Sequence, residues 1–197
     1  MPGGVIRAGT RGDRDVVAAM LARAFADDPA TSYIFPDPAE RAKRLPKMFR
    51  LIFDEDVGGM PLVTGDGEAA TLWRKPGEAE IGKLEMLRQL FPLIGAFGSA
   101  LGRAMRVGDS IDAHHPPGPY WYLHIAGVDP AHQGRGLGSA SIRQGLARAR
   151  EDGLPAFLET ATPRNVSFYQ SLGFEVIDEW HVPKGGPKFW SMLNSAP

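Results

Sequence analysis

The residue types that could do chemistry gather between Tyr120 and Phe174. At their centre lies Gln133-Gly134-Arg135-Gly136-Leu137-Gly138-Ser139. The run before it, Trp121 to Val128, has the length and β-favouring composition of a buried strand. After it, Gly138, Ile142, Gly145, Leu146 and Ala149 draw one small-to-apolar face on a helix. A glycine loop between strand and helix makes an anion cradle. The first helical turn leaves backbone amides unpaired and carries about half a positive charge, and glycine removes the Cβ atoms that would hold a pyrophosphate away. Arg135, inside the loop, can reach a phosphate. Ser139 stands where a GxGxxG loop needs its third glycine, and no GxxxxGK[ST] run occurs, so neither dinucleotide nor triphosphate binding is expected.

Proton transfer needs groups of another kind. His124 lies on the same strand, and an imidazole titrates near pH 6.5, which suits a general base; the plainer alternative is a strand histidine that only packs. Glu159, at the end of the next apolar run, can receive a proton or hold a substrate ammonium. Asn165 and Tyr169 are four residues apart and share a helix face. Asp27 and Asp28 could attract a cationic amine, with Tyr33, Phe35 and Trp73 flanking an apolar body. Against that, Asp before Pro is a common helix stop and lone aromatics are usually core. His114 and His115 are adjacent in a proline loop and lack ligand spacing, so no metal is expected.

Two of these patterns carry a family resemblance. Val128-x-x-x-x-Gln133-x-x-Gly136-x-Gly138 resembles the acyl-CoA motif of the GNAT acetyltransferase superfamily, and Asn165-x-x-x-Tyr169-x-x-x-Gly173-Phe174 resembles its last-helix pattern. Further runs, His132-Gln133-Gly134, Gly136 to Ala140, Pro155 to Thr160, Pro163-Arg164-Asn165 and Phe168-Tyr169, resemble puromycin N-acetyltransferase-like proteins, thinly so upstream of His114. The resemblance implies acetyl-CoA as cofactor, held by Val128, Gln133, Gly134, Arg135, Gly136, Leu137, Gly138, Ser139 and Asn165. Main-chain amides from Ile125 through Ala126 to Gly127 would meet the acetyl carbonyl, and Tyr169 would sit near the thioester sulfur. His124 is similar in position to a relay histidine of arylalkylamine acetyltransferases, whereas the puromycin enzymes have a small residue there. The implied fold is α/β, a mixed and mostly antiparallel sheet of about seven strands with a splayed parallel central pair and helices on both faces. The implied reaction is direct attack of a small primary amine on the acetyl carbonyl. A peptide or protein amine acetyltransferase, or a non-catalytic CoA-binding sensor, are the alternatives.

Other elements must place these groups. Val5 to Ala8 can open the sheet. Asp13 to Ala26 has helical periodicity, and Asp27-Asp28-Pro29 predicts its stop. Residues 33–36 read as a loop, about Ala39 to Phe53 as a helix that Pro46 kinks or delays, and Met60 to Trp73 as a hairpin around Gly65-Asp66-Gly67. Residues 83–106 predict two short helices. The strand, helix and strand from Trp121 to Thr160 predict a right-handed parallel unit, with ligands at the carboxyl ends of its strands. Thr162-Pro163 predicts an N-cap and first turn, and Phe174 to Trp180 and Lys188 to Leu193 predict two closing strands.

The 197 residues suit a single domain. A formal charge of −1 offers no footprint for nucleic acid or an anionic membrane. The absence of cysteine removes disulfides and thiolate chemistry. With no apolar run of about 20 residues and no signal-like start, the expectation is a cytoplasmic protein, monomer or homodimer, whose partner is a small-molecule amine.

Overall fold

The computed structural model describes residues 5–77 and 90–195. One seven-stranded sheet, in the order β1-β2-β3-β4-β5-β7-β6, organises it. The strands are β1 (Ile6–Ala8), β2 (Met60–Thr64), β3 (Ala69–Arg74), β4 (Trp121–Val128), β5 (Ala156–Thr160), β6 (Glu175–His181) and β7 (Lys188–Asn194). The helices are α1 (Arg14–Ala24), α2 (Pro29–Ile34), α3 (Pro38–Asp56), α4 (Leu90–Phe97), α5 (Leu101–Asp112), α6 (Leu137–Glu151) and α7 (Pro163–Gln170). All strand neighbours are antiparallel except β4 and β5, which run parallel on either side of α6. The expected α/β architecture is therefore present.

Two local irregularities shape the middle of the sheet. The parallel pairing covers only Trp121 with Ala156 and Tyr122 with Phe157, so β4 and β5 part beyond Tyr122. On the other side of β4, Leu72 pairs with Ile125 and Trp73 with Leu123, which leaves His124 as an extra residue without a partner on β3. Such a bulge redirects the side chain it carries.

Each face of the sheet buries a separate apolar cluster. One joins Val17 and Leu21 of α1, Phe49 and Phe53 of α3, and Val63 and Leu72 of the sheet. The other joins Ile142 and Leu146 of α6 to Leu62, Trp73 and Leu158. Contact there is close: a Cβ placed on Gly145 would lie 2.2 Å from the Trp73 ring.

Two local readings need correction. Asp27-Asp28-Pro29 does more than end α1. Asp28 caps α2 through Ala30 N at 2.9 Å, with Pro29 in the first turn, so the expected loop begins as a helix. Pro46 lies inside the 19-residue α3, which already starts at Pro38, so it does not delay the helix. Downstream, α4 and α5 agree with two short helices over the part of 83–106 that is described, while the calls on residues 83–89 lie outside the described residues. Thr162 is the residue preceding α7, but its hydroxyl makes no cap bond and instead donates to Asp28 Oδ2 at 3.0 Å.

Candidate active site

The glycine loop is built as a cradle. Asp129 ends β4 and is pinned by Arg23 Nε at 2.9 Å while accepting from Ala131 N. Gly134 and Gly136 both adopt φ +77°, a left-handed backbone that few other residues tolerate, and Gly136 is the N-cap of α6. Among the described residues, the amides of 133 to 136 donate to no acceptor. Gly138 lets α6 approach the sheet, since a Cβ there would be 3.0 Å from Val128 Cγ2. Leu137 is buried, so only its backbone can serve the loop; Ser139 Oγ donates to Gly136 O at 2.9 Å. Gln133 Nε2 lies 3.4 Å from Val128 O, and Arg135 reaches no carboxylate, its closest acceptor being Ala131 O at 3.5 Å.

From this loop a cleft of about 620 Å³ runs along the parted end of β4, past Ala126, Gly127 and Val128, to Asn165 and Tyr169. Free amides, positive backbone angles and a deep slot together fit a diphosphate followed by an extended arm. Ile125 faces a second chamber instead.

That second chamber, about 240 Å³, lies between the sheet and α2, α3 and α5. It meets the cleft at Phe25, Asp28, Ala126, Asn165 and Tyr169. Its walls are apolar toward Met48, Phe49, Ile52, Val107 and Ile111, and its polar end holds Asp28, His124, Glu159 and Tyr169. Burial, and then the charge of Asp28, push the Tyr169 phenol well above its ordinary value. Its hydroxyl makes no hydrogen bond among the described residues.

Each acid at this end has its own setting. Asp28 accepts from Ala30 N, Thr31 N and Thr162 Oγ1, yet burial outweighs these bonds and raises its carboxyl. Glu159 is nearly buried, with Oε1 3.1 Å from His115 Nε2 in a geometry that satisfies neither atom as a hydrogen bond. Tyr122 packs beside it, its phenol pushed far up by burial and then by the Glu159 charge. His124 is held differently: its Nδ1 is 2.6 Å from Asp56 Oδ2, and Asp56 Oδ1 accepts from Arg74 Nε at 2.7 Å. Burial alone would raise the Asp56 carboxyl, but the facing His124 and Arg74 outweigh it and hold it below the usual range.

The remaining aromatic candidates are placed elsewhere. Trp73 is fully buried under α6, its indole N–H on Thr71 Oγ1, because strand alternation turns it to the face opposite the chamber. Phe35 is buried and stacked on Phe97 at 5.9 Å, behind the chamber wall. Tyr33 uses its hydroxyl structurally, accepting from Arg106 and donating to Pro183 O. Asp27 borders the cleft with a fully exposed side chain, 3.9 Å from Arg41, and does not line the chamber. Asp56 and Arg74 were not expected; contacts spanning 68 and 18 residues leave no local pattern to read. Among the described residues no group of three metal-ligating side chains occurs, and no helix is long and apolar enough to cross a membrane.

Comparison with known proteins accords with this geometry. A family model described as "Acetyltransferase (GNAT) family" matches residues 98–174. An uncharacterised N-acetyltransferase of Schizosaccharomyces pombe is 26% identical over 179 residues, covering 82% of this chain and 70% of that protein. A mycothiol acetyltransferase of Acidothermus cellulolyticus is 32% identical over 167 residues, again 82% of this chain but only 41% of the longer relative. A solved structure from Corynebacterium glutamicum, described as histone acetyltransferase HPA2 and related acetyltransferase, superposes with a TM-score of 0.74 at 25% identity, covering 98% of this chain and 97% of its own.

Proposed function

We propose that this chain, which has the GNAT acetyltransferase fold, is an acetyl-CoA-dependent N-acetyltransferase that acts on a small primary amine with a compact apolar body. The observation that carries this reading is the meeting of a long cleft and a small chamber at Tyr169 and Asn165, with His124, Asp28 and Glu159 at the chamber's polar end. Acetyl-CoA supplies an activated acetyl carbonyl and a sulfur leaving group. The amides of the Gln133–Gly138 loop hold its diphosphate, and the unpaired edge of β4 near Ile125 to Gly127 offers donors to the carbonyl.

The amine arrives as a cation, since only about one alkylamine in 10³ is free base at neutral pH. Asp28 and Glu159 hold the ammonium, and His124 takes a proton so that the nitrogen lone pair can attack. The C–N bond forms as the C–S bond breaks, and the second proton lost from the nitrogen ends on the coenzyme thiolate, giving the free thiol. Tyr169, whose buried phenol binds its proton far more tightly than a thiol of pKa about 8.5, stabilises the departing sulfur by donating a hydrogen bond without giving the proton up. Most of the acceleration comes from holding amine and thioester together, up to ~7–11 kcal/mol in well-oriented cases.

Chamber size and polarity select the acceptor. One ammonium is matched at the polar end, whereas a second positive charge at the apolar end would be buried without a partner, at a cost of several kcal/mol. The finer likeness to puromycin N-acetyltransferases rests on the sequence runs alone. A peptide or protein acceptor, as the Corynebacterium protein's description suggests for that molecule, needs a groove along which a chain can extend; a chamber of about 240 Å³ favours a compact amine instead. Thiol release from acetyl-CoA with a panel of arylalkylamines, alkyl diamines and lysine peptides decides the matter. Turnover confined to compact monoamines is expected; turnover of peptides only would overturn the small-amine reading, and none with any amine would favour a sensor.

A further inference from the structure

We infer that Asp56, clamped by Arg74, is a positioning residue that holds His124 as its Nδ1–H form at the β4 bulge, making Nε2 the atom that accepts the substrate's proton. The inference rests on the reading of His124 as the base and adds to it which nitrogen acts and what fixes it.

Three observations converge. First, His124 is the unpaired residue of the bulge, so neither the β3 ladder nor strand alternation fixes its ring. It is fixed instead by Tyr122, stacked at 5.3 Å, and by Asp56 at 2.6 Å. Second, the Asp56 side chain is completely buried, and an ionised carboxylate can only accept. The Nδ1 facing it must therefore carry the hydrogen, which leaves Nε2 as the basic nitrogen of the neutral ring. Third, Arg74 binds both Asp56, at 2.7 Å, and Glu55, at 3.2 Å. These bonds tie the carboxylate that faces the ring to β3, so its position is set by two elements.

Across the chamber His124 shares the space with Tyr122 of its own strand, Glu159 of β5, Asp28 at the start of α2 and Tyr169 of α7, while α5 contributes Ala104, Val107, Gly108 and Ile111 to the lining. Glu159 and Asp28 are engaged by His115 and by Thr162 with the α2 amides, respectively.

The test has two readouts. In ¹⁵N-histidine-labelled full-length protein, two-bond ¹⁵N–¹H correlations at neutral pH should show His124 protonated at Nδ1 and bare at Nε2. In Asp56→Asn, with folding checked by circular dichroism and acetyl-CoA binding by calorimetry, kcat should fall about 10²-fold or more. A purely structural Asp56 would lower stability and leave kcat of the folded variant unchanged. A ring protonated at Nε2 in the wild type, or an unchanged kcat in folded Asp56→Asn, would sink the inference while leaving His124 as base. Full activity of His124→Ala would sink the base assignment itself, and this inference with it.

Discussion

At the scale of single residues, the site depends on hydrogen atoms being kept where they are needed. Burial holds the proton on Tyr169, so the contribution we propose for it is a hydrogen bond to sulfur. Tyr169→Phe should lower kcat by about 10–100-fold, the worth of one hydrogen bond to a charged group, with acetyl-CoA affinity unchanged by calorimetry. Asp28 is both a cap and a charge. Asp28→Asn keeps a good capping residue while removing the charge, so the KM for a cationic amine should rise about tenfold with little change in stability. Asp28→Ala should show the same KM effect and lose a further ~1 kcal/mol in denaturant unfolding as α2 loses its cap. His124, Glu159, Asn165 and Tyr169 were legible as candidates because each stands at a readable place on a strand or helix. Asp56 was not, because its role is created only when the end of α3 reaches β4.

The elements explain what the sequence reading got right and where it failed. The periods of α6 and β4, with Gly134 and Gly136 between them and Gly138 in the first turn of α6, specify the cradle almost without tertiary context. Trp73 was assigned to the wrong place because aromatic character does not tell which face of a strand a residue takes. Here alternation sends Leu72 to the α1 and α3 side and Trp73 beneath α6. The segment after α1 was misread because one signal has two meanings: Asp-Pro ends a helix, and it also starts one. Packing of α6 on the sheet gives a direct test. Gly145→Ala would put a methyl into the Trp73 indole and should destabilise the fold by about 1–3 kcal/mol in urea unfolding, without abolishing acetyl-CoA binding.

For the molecule as a whole, the paired carboxylates set an acid limit. Asp56, despite the opposing effect of burial, and Asp13, through its bond to Arg7, both have carboxyls held below the usual range. Each binds protons less tightly folded than unfolded. Their stabilising contribution is therefore complete above pH about 4 and is lost as pH falls through the lower native values. Asp56→Asn should consequently be less stable at neutral pH but show a shallower loss of stability on acidification, measured by urea midpoints from pH 6 to pH 2. The strand order and the parting of β4 from β5 also act at this scale. The parallel unit was readable from the order of elements, but where the two strands separate was not, since no single residue marks it.

The parted strands leave two hollows that share part of their walls, one suited to a long ligand and one to a short one. A single compound in which an amine is tethered through an acetyl spacer to the sulfur of coenzyme A would occupy both. It should bind far more tightly than either half, because the second contact is made without a second loss of freedom. Competition of such a conjugate against acetyl-CoA and against the amine alike would reveal the junction as one continuous tunnel.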